Sequence, residues 1–265
     1  MYNIKYLYPT FKYLNVFVEI LQEQIFKYFN SKRIDMSKAT KSKQSNPLET
    51  PISIATYPPI SMQRNFFKAH PWHGIQIGAD MPKIVTAFIE IVPTDTVKYE
   101  IDKETGYLKI DRPQKFSNIV PALYGFVPQT YCGERTAEFA RAKSGKMIEK
   151  GDGDPLDILV LSERTITHGD IICQAIPIGG IIMIDKGEAD DKIIAVLKGD
   201  SMYGNWQDIT DCPQPIIDRL VHYFLTYKNI PGEEKVAVDI DAVYGASEAH
   251  EVILQSREDY RNLVG

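Results

Sequence analysis

Cysteine is scarce in this sequence, with three residues in 265, at Cys132, Cys173 and Cys212. An odd number at wide spacing indicates neither a disulfide framework nor a zinc ligand pair. Reduced thiols in a cytoplasmic protein are the expectation. No stretch reaches the ~18 consecutive apolar residues that a bilayer span needs. The first thirty residues hold no small-residue cleavage site, and polar side chains interrupt their apolar ones, so no secretory leader is read. An excess of positive charge is missing too. Thirty Lys and Arg stand against 35 Asp and Glu, a net charge of −5. That argues against a general nucleic-acid binder, whose affinity comes from neutralising phosphates. An acidic chain that takes an anion must use local cations or captured metal ions.

What is present is a globular composition, 44% apolar, in a chain long enough for one domain of roughly 150–200 residues plus an appendage. Residues 1–30 place Val16, Phe17, Ile20, Leu21, Phe26 and Phe29 where one helical face would hold them. Three readings compete: an interfacial or targeting helix, a packed appendage, or a true start at Met36 that leaves residues 1–35 dispensable. The third is preferred, because Lys38 to Thr50 is a polar run that reads as a linker. Residues 36–69 are then linker and arm, and the working domain spans 70–265.

From residue 70 the pattern tightens. Ile84–Val92 reads as a strand. Val97–Ile101 and Tyr107–Ile110 flank a turn with Gly106 in it, a hairpin signal. Leu156–Leu161, Ile171–Ile178, Ile181–Ile184 and Lys192–Leu197 are further strands. Helices are expected over Pro215–Lys228, with Ile216, Ile217, Leu220, Val221, Phe224 and Leu225 as its stripe, and over Ser247–Leu263, with Ala249, Val252, Ile253, Tyr260 and Leu263 facing inward. The fold class is α+β, mainly β: a small closed OB-like five-stranded barrel with two flanking C-terminal helices.

Chemistry concentrates in GDGDPLDILVL, residues 151–161. Gly151, Gly153 and Pro155 place Asp152 and Asp154 in a turn. In the strand that follows, Leu156, Ile158 and Val160 share one face, and Asp157 shares the other with Leu159 and Leu161. A carboxylate among aliphatic side chains is costly without a compensating cation, and hard cations such as Mg²⁺ suit closely spaced oxygens. Alone, the three acids could equally be a solvated turn. An EF-hand fails, since Asp157 stands where the sixth loop position needs glycine. Further acids support the metal reading. Asp185 ends a strand, and Asp190 and Lys192 are spaced to project to one side of the next. Glu90 interrupts an apolar strand, Lys98 and Glu100 share a face, and Arg112 ends the hairpin. Singly, Glu90, Lys98, Glu100 and Arg112 are better explained by cross-strand ion pairs on a barrel exterior, and the 185–192 run by an exposed turn; their value is in combination.

Together these segments resemble the family I soluble inorganic pyrophosphatases. Asp152, Asp154, Pro155 and Asp157 match the family's Asp-x-Asp-Pro-x-Asp signature. Glu90, Lys98, Glu100, Arg112, Tyr124, Asp185, Asp190, Lys192, Tyr227 and Lys228 match in chain order over about residues 70–260. Val120 departs from the pattern, where a second tyrosine is common, and 131–150 is longer than in compact bacterial members. HPWHG (70–74), QKFSN and QTYCG look most like the chlamydial branch. His70 and His73 lie outside the matched site, and a structural role is expected for them.

The resemblance implies hydrolysis of pyrophosphate with three to four Mg²⁺ ions in the loaded site. It implies metal binding by Asp152, Asp157, Asp185, Asp190, Glu90 and Glu100, with Asp154 as proton acceptor. Lys98, Tyr124 and Lys192 fall to one phosphate, and Arg112, Tyr227 and Lys228 to the other; Lys98, Tyr124 and Arg112 join Asp154 as catalytic residues. A homo-oligomer is implied, hexamer or dimer, with no nucleic-acid or membrane partner. Two other readings remain: an OB-like module binding oligonucleotides or sugars, and a metal-dependent phosphohydrolase acting on nucleotides.

Overall fold

The computed structural model describes residues 68–115, 117–229, 232 and 238–265. The expected N-terminal helix, the start at Met36 and all of the linker and arm except Lys68 and Ala69 lie outside the described residues.

Nine strands and three α-helices are formed among them: β1 (Val85–Ile91), β2 (Val97–Ile101), β3 (Leu108–Pro113), β4 (Leu123–Phe126), α1 (Glu134–Ser144), β5 (Asp157–Leu161), β6 (Ile171–Asp185), β7 (Glu188–Ala189), β8 (Lys192–Leu197), α2 (Gln214–Thr226), β9 (Val238–Gly245) and α3 (Ala246–Val264). Five strands close on themselves. β1 pairs antiparallel with β4 and β6, β4 with β5 and β8 with β6, and β5 and β8 run parallel. This ring is the expected OB-like closed sheet. β7 and β9 add to β6 outside it, and β2–β3 forms a separate hairpin.

Alternation along β5 sorts its side chains as the sequence pattern requires. Leu156, Ile158 and Val160 enter one apolar cluster with Ala137, Ala140, Val252 and Ile253, residues of α1 and α3. Leu159 and Leu161 enter the second, with Leu220 and Phe224 of α2. Asp157 lies on the α2 side, and that is where a cavity opens.

The structure departs from the sequence reading at several elements. Ile171–Ile178 and Ile181–Ile184 are one strand of 15 residues with a bulge between Pro177 and Gly179. The glycines there do not end the strand. A Cβ on Gly180 would stand 2.4 Å from the Tyr244 ring, so glycine admits the close passage of β9. β4, β9 and α1 were not expected. α1 carries Glu134, Arg135, Glu138, Arg141 and Lys143 against a narrow buried face of Thr136, Ala137, Phe139 and Ala140, a weak helical signal. Leu225 and Leu263, assigned to apolar stripes, are exposed at 39% and 50%.

Candidate active site

Strand register assembles the chemistry. In the parallel β5–β8 pair Asp157 stands beside Lys192. In the β2–β3 hairpin Lys98 stands beside Arg112. Asp185 pairs with Glu188 at the end of β6. Tyr124 rises from β4, and Tyr227 and Lys228 follow the last turn of α2. These groups meet at one cavity of about 270 Å³, lined by Lys98, Arg112, Tyr124, Asp152, Asp154, Asp157, Asp185, Glu188, Asp190, Lys192, Tyr227 and Lys228, with Ile91, Tyr223 and Phe224 as its apolar wall.

Most of the residues expected at a site are therefore together. Glu90 and Glu100 line a smaller neighbouring cavity of about 70 Å³, which shares Lys98, Tyr124, Asp154 and Asp157 with the larger one. Glu90 is buried and accepts the Ile101 N–H at 2.7 Å. Three charged neighbours were not anticipated. Glu188 is a wall of the large cavity, Asp111 holds both Lys98 (3.1 Å) and Arg112, and Lys103 pairs with Asp154. Only pairing register and turn geometry disclose them; Glu188 sat in an acidic run with no spacing to mark it. His70 and His73 lie away from the cavity, in an aromatic cluster where His73 Nδ1 is 2.8 Å from the Tyr260 hydroxyl.

The acids are crowded and partly compensated. The Lys192 ammonium sits between Asp157 and Asp190. Lys228 pairs with Asp185 at 2.5 Å, Lys98 with Glu100 at 3.2 Å, and the Tyr124 hydroxyl donates to Asp157 at 2.5 Å. With these ammonium groups interposed, no three His, Cys, Asp or Glu among the described residues stand ready around a metal position.

Proton affinities show the strain of gathering like charges. Burial and the Asp190 charge push Asp152 up to about 9. Burial also raises Asp157, against the pull of Lys192. Asp190 stays below the usual carboxylate range because Lys192 outweighs its burial. Burial takes Glu90 to about 8 despite its backbone hydrogen bond. Lys192, though buried, is held well above the ordinary lysine range by Asp157 and Asp190. The Asp185 Oδ1 atom is buried without a hydrogen-bond partner.

The family model for inorganic pyrophosphatase matches residues 87–261, well over half of the chain. The chain belongs to the inorganic pyrophosphatase family. It is 52% identical over 198 residues to the inorganic pyrophosphatase of Chlamydia muridarum, covering 73% of this chain and 95% of that relative. It is 36% identical to the soluble inorganic pyrophosphatase of Zea mays, covering 77% of this chain and 85% of that one. Among solved structures, the inorganic pyrophosphatase of Thermus thermophilus superposes with a TM-score of 0.60 at 27% identity, over 73% of this chain and 99% of that one. The expected likeness to chlamydial pyrophosphatases is thus borne out. In this pyrophosphatase, Val120 is fully buried in the α2-side cluster, so no hydroxyl reaches the cavity from that position. No helix among the described residues is long and apolar enough to cross a membrane.

Proposed function

We propose that this pyrophosphatase hydrolyses inorganic pyrophosphate to two orthophosphates, using divalent cations, Mg²⁺ above all, held by the cavity acids. One observation carries the reading: six carboxylates and four cationic side chains, drawn from distant segments of the chain, line a single cavity. With every carboxylate ionised, the form that binds cations, two negative charges are left in excess before any anion enters. Such a cavity repels pyrophosphate until positive ions are added.

The residues fit those ions. The donors are all carboxylate oxygens, the ligands of hard cations, and the unpartnered Asp185 Oδ1 is an available one. Asp152, Asp157, Asp185 and Asp190 are assigned to hold them, with Glu90 and Glu100 serving from the smaller cavity. Three to four ions are assigned to the substrate-loaded site. A bound divalent cation supplies neutralising charge and renders a water acidic enough to attack near neutral pH.

The chain's own groups then do the following. Asp154 accepts the proton of the attacking water as its oxygen bonds to one phosphorus, in line with the bridging P–O bond that breaks. Lys98, Tyr124 and Lys192 contact the phosphoryl group under attack and spread its charge. Arg112, with Tyr227 and Lys228, holds the departing phosphate, a task suited to a forked guanidinium. No covalent enzyme intermediate is formed. The working protein is assigned to the cytoplasm as a homo-oligomer, hexamer or dimer.

Phosphate release from pyrophosphate, measured with and without Mg²⁺ and beside ATP, tests the reading. Release that depends on Mg²⁺ and favours pyrophosphate is expected. Faster release from ATP would make it a nucleotide phosphohydrolase, and absence of release would remove the assignment. Filter binding of single-stranded DNA at moderate salt is expected to be negative.

A further inference from the structure

We propose that Lys103, in the turn between β2 and β3, is a positioning residue that holds the Asp154 carboxylate in its working place. The inference rests on the reading of Asp154 as proton acceptor.

The Lys103 ammonium pairs with Asp154 Oδ1 across 51 residues of chain. Each side chain is 46% exposed, so packing does not trap the pair; the backbone at both ends does. On the Lys103 side, Asp102 Oδ1 accepts from the Thr105 N–H at 2.9 Å and hydroxyl at 2.7 Å. The Gly106 N–H donates to the Asp102 carbonyl at 2.8 Å. This turn is pinned in its turn to residues 70–74. His70 Nδ1 accepts from the N–H groups of Trp72 (3.2 Å) and His73 (3.3 Å). The proton therefore sits on Nε2, which donates to the Lys103 carbonyl at 3.3 Å. Gly106, at φ +75°, lies against the His70 ring so closely that a Cβ would stand 2.8 Å from it. On the other side, the Asp154 N–H donates to Asp152 Oδ1 at 3.0 Å, and its carbonyl accepts the Cys132 N–H at 2.8 Å.

The remaining cations have their own acids. Lys98 is engaged by Glu100 and Asp111, Lys192 by Asp157 and Asp190, and Lys228 by Asp185. Lys103 serves Asp154. Asp154 lines both cavities, whereas Lys103 lines only the smaller. The lysine thus meets the carboxylate through Oδ1 from the side of the smaller cavity, while Asp154 also lines the larger one. A pair this exposed adds little to stability, but a small misplacement of a reacting group is costly in rate. This also gives the segment His70–Gly74 a role at a distance, as the anchor of the Lys103 turn.

The test compares Lys103→Met, Lys103→Arg, Asp154→Asn and the Lys103→Met/Asp154→Asn pair. Pyrophosphate hydrolysis at saturating Mg²⁺ gives kcat and KM separately, and thermal melts run alongside. Lys103→Met is expected to lower kcat about tenfold with KM and Tm nearly unchanged. Lys103→Arg should recover most of the loss, and the double variant should be no slower than Asp154→Asn. Unchanged kcat in Lys103→Met, a loss that multiplies with that of Asp154→Asn, or a fall in Tm that arginine does not repair would each overturn the inference. If Asp154→Asn itself keeps near-normal turnover, the proton-acceptor reading falls and takes this inference with it. A slow Asp154→Asn beside a normal Lys103→Met defeats the inference alone.

Discussion

At the scale of single residues, the three aspartates of 152–157 have different surroundings and so different tasks. Asp157 is enclosed by Lys192 and the Tyr124 hydroxyl, whereas Asp154 stands half exposed between two cavities. Asp154→Asn keeps shape and removes basicity. Its kcat is expected to fall ~10²-fold or more while fold and metal affinity persist; steady-state kinetics with calorimetric Mg²⁺ titration checks both. Asp157→Asn removes a charge that Lys192 and the Tyr124 hydroxyl now meet. The Mg²⁺ concentration for half-maximal activity is expected to rise about tenfold or more, by analogy with the losses that follow a disturbed metal site. An activity profile unchanged against Mg²⁺ would take Asp157 out of the ligand set.

At the scale of elements, two helices begin at a glycine and so lack a capping side chain of their own. α1 follows Gly133 and α3 follows Gly245, and neither glycine offers a capping side chain. Each start is completed from afar. Buried Asp259, on α3, accepts the N–H groups of Gly133 (3.1 Å), Arg135 (3.0 Å) and Thr136 (3.2 Å). Asp208 accepts the Ala246 N–H at 2.8 Å. Removing Asp259 leaves several donors unmet in a buried place, so Asp259→Ala is expected to cost about 1–3 kcal/mol, read by denaturant unfolding.

The same kind of bonding sets an acid limb on stability. The Ala246 N–H, with Thr210, holds Asp208 below the usual carboxylate range. At Asp200 slight burial acts upward but is outweighed by the N–H groups of Tyr203, Glu163 and Met202. A carboxyl whose folded pKa is depressed stabilises the fold above its unfolded value and loses that contribution as pH falls through the folded one. The stabilisation from Asp200 is therefore expected to be lost as pH is lowered from about 5 to about 3, so the Tm difference between the unaltered chain and Asp200→Asn, whose side chain does not titrate, is expected to shrink over that window.

At the scale of the whole molecule, the excess negative charge of the cavity couples metal to stability. Ions that bind the folded site and not the unfolded chain raise the melting temperature by mass action, on the order of 2.7 kcal/mol at a hundredfold excess over Kd. Melting with Mg²⁺, then with a chelator added, is expected to show a rise and its reversal. A curve indifferent to both would mean that the gathered carboxylates hold no ion.

The sequence alone determined much of this protein, because much of it is local. Alternation in Leu156–Leu161 fixed which face of β5 carries Asp157, and the turn residues of Asp102–Gly106 fixed a hairpin. The order of acids and cations pointed to the family before any contact was known. Tertiary structure decided what depends on residues far apart in the chain. The parallel pairing of β5 with β8 brings Lys192 to Asp157, and the closing of the ring through β1 and β6 completes the sheet. The same distance hid α1, whose cap lies 126 residues away in Asp259, and β9, whose path past Gly180 is set by close packing. It hid Lys103 as well, which has no meaning as a lone turn lysine until folding lays its hairpin beside Asp154. Periodicity and turn chemistry act over a few residues and can be read in order along the chain; charge compensation acts through space, and only the fold supplies the partners.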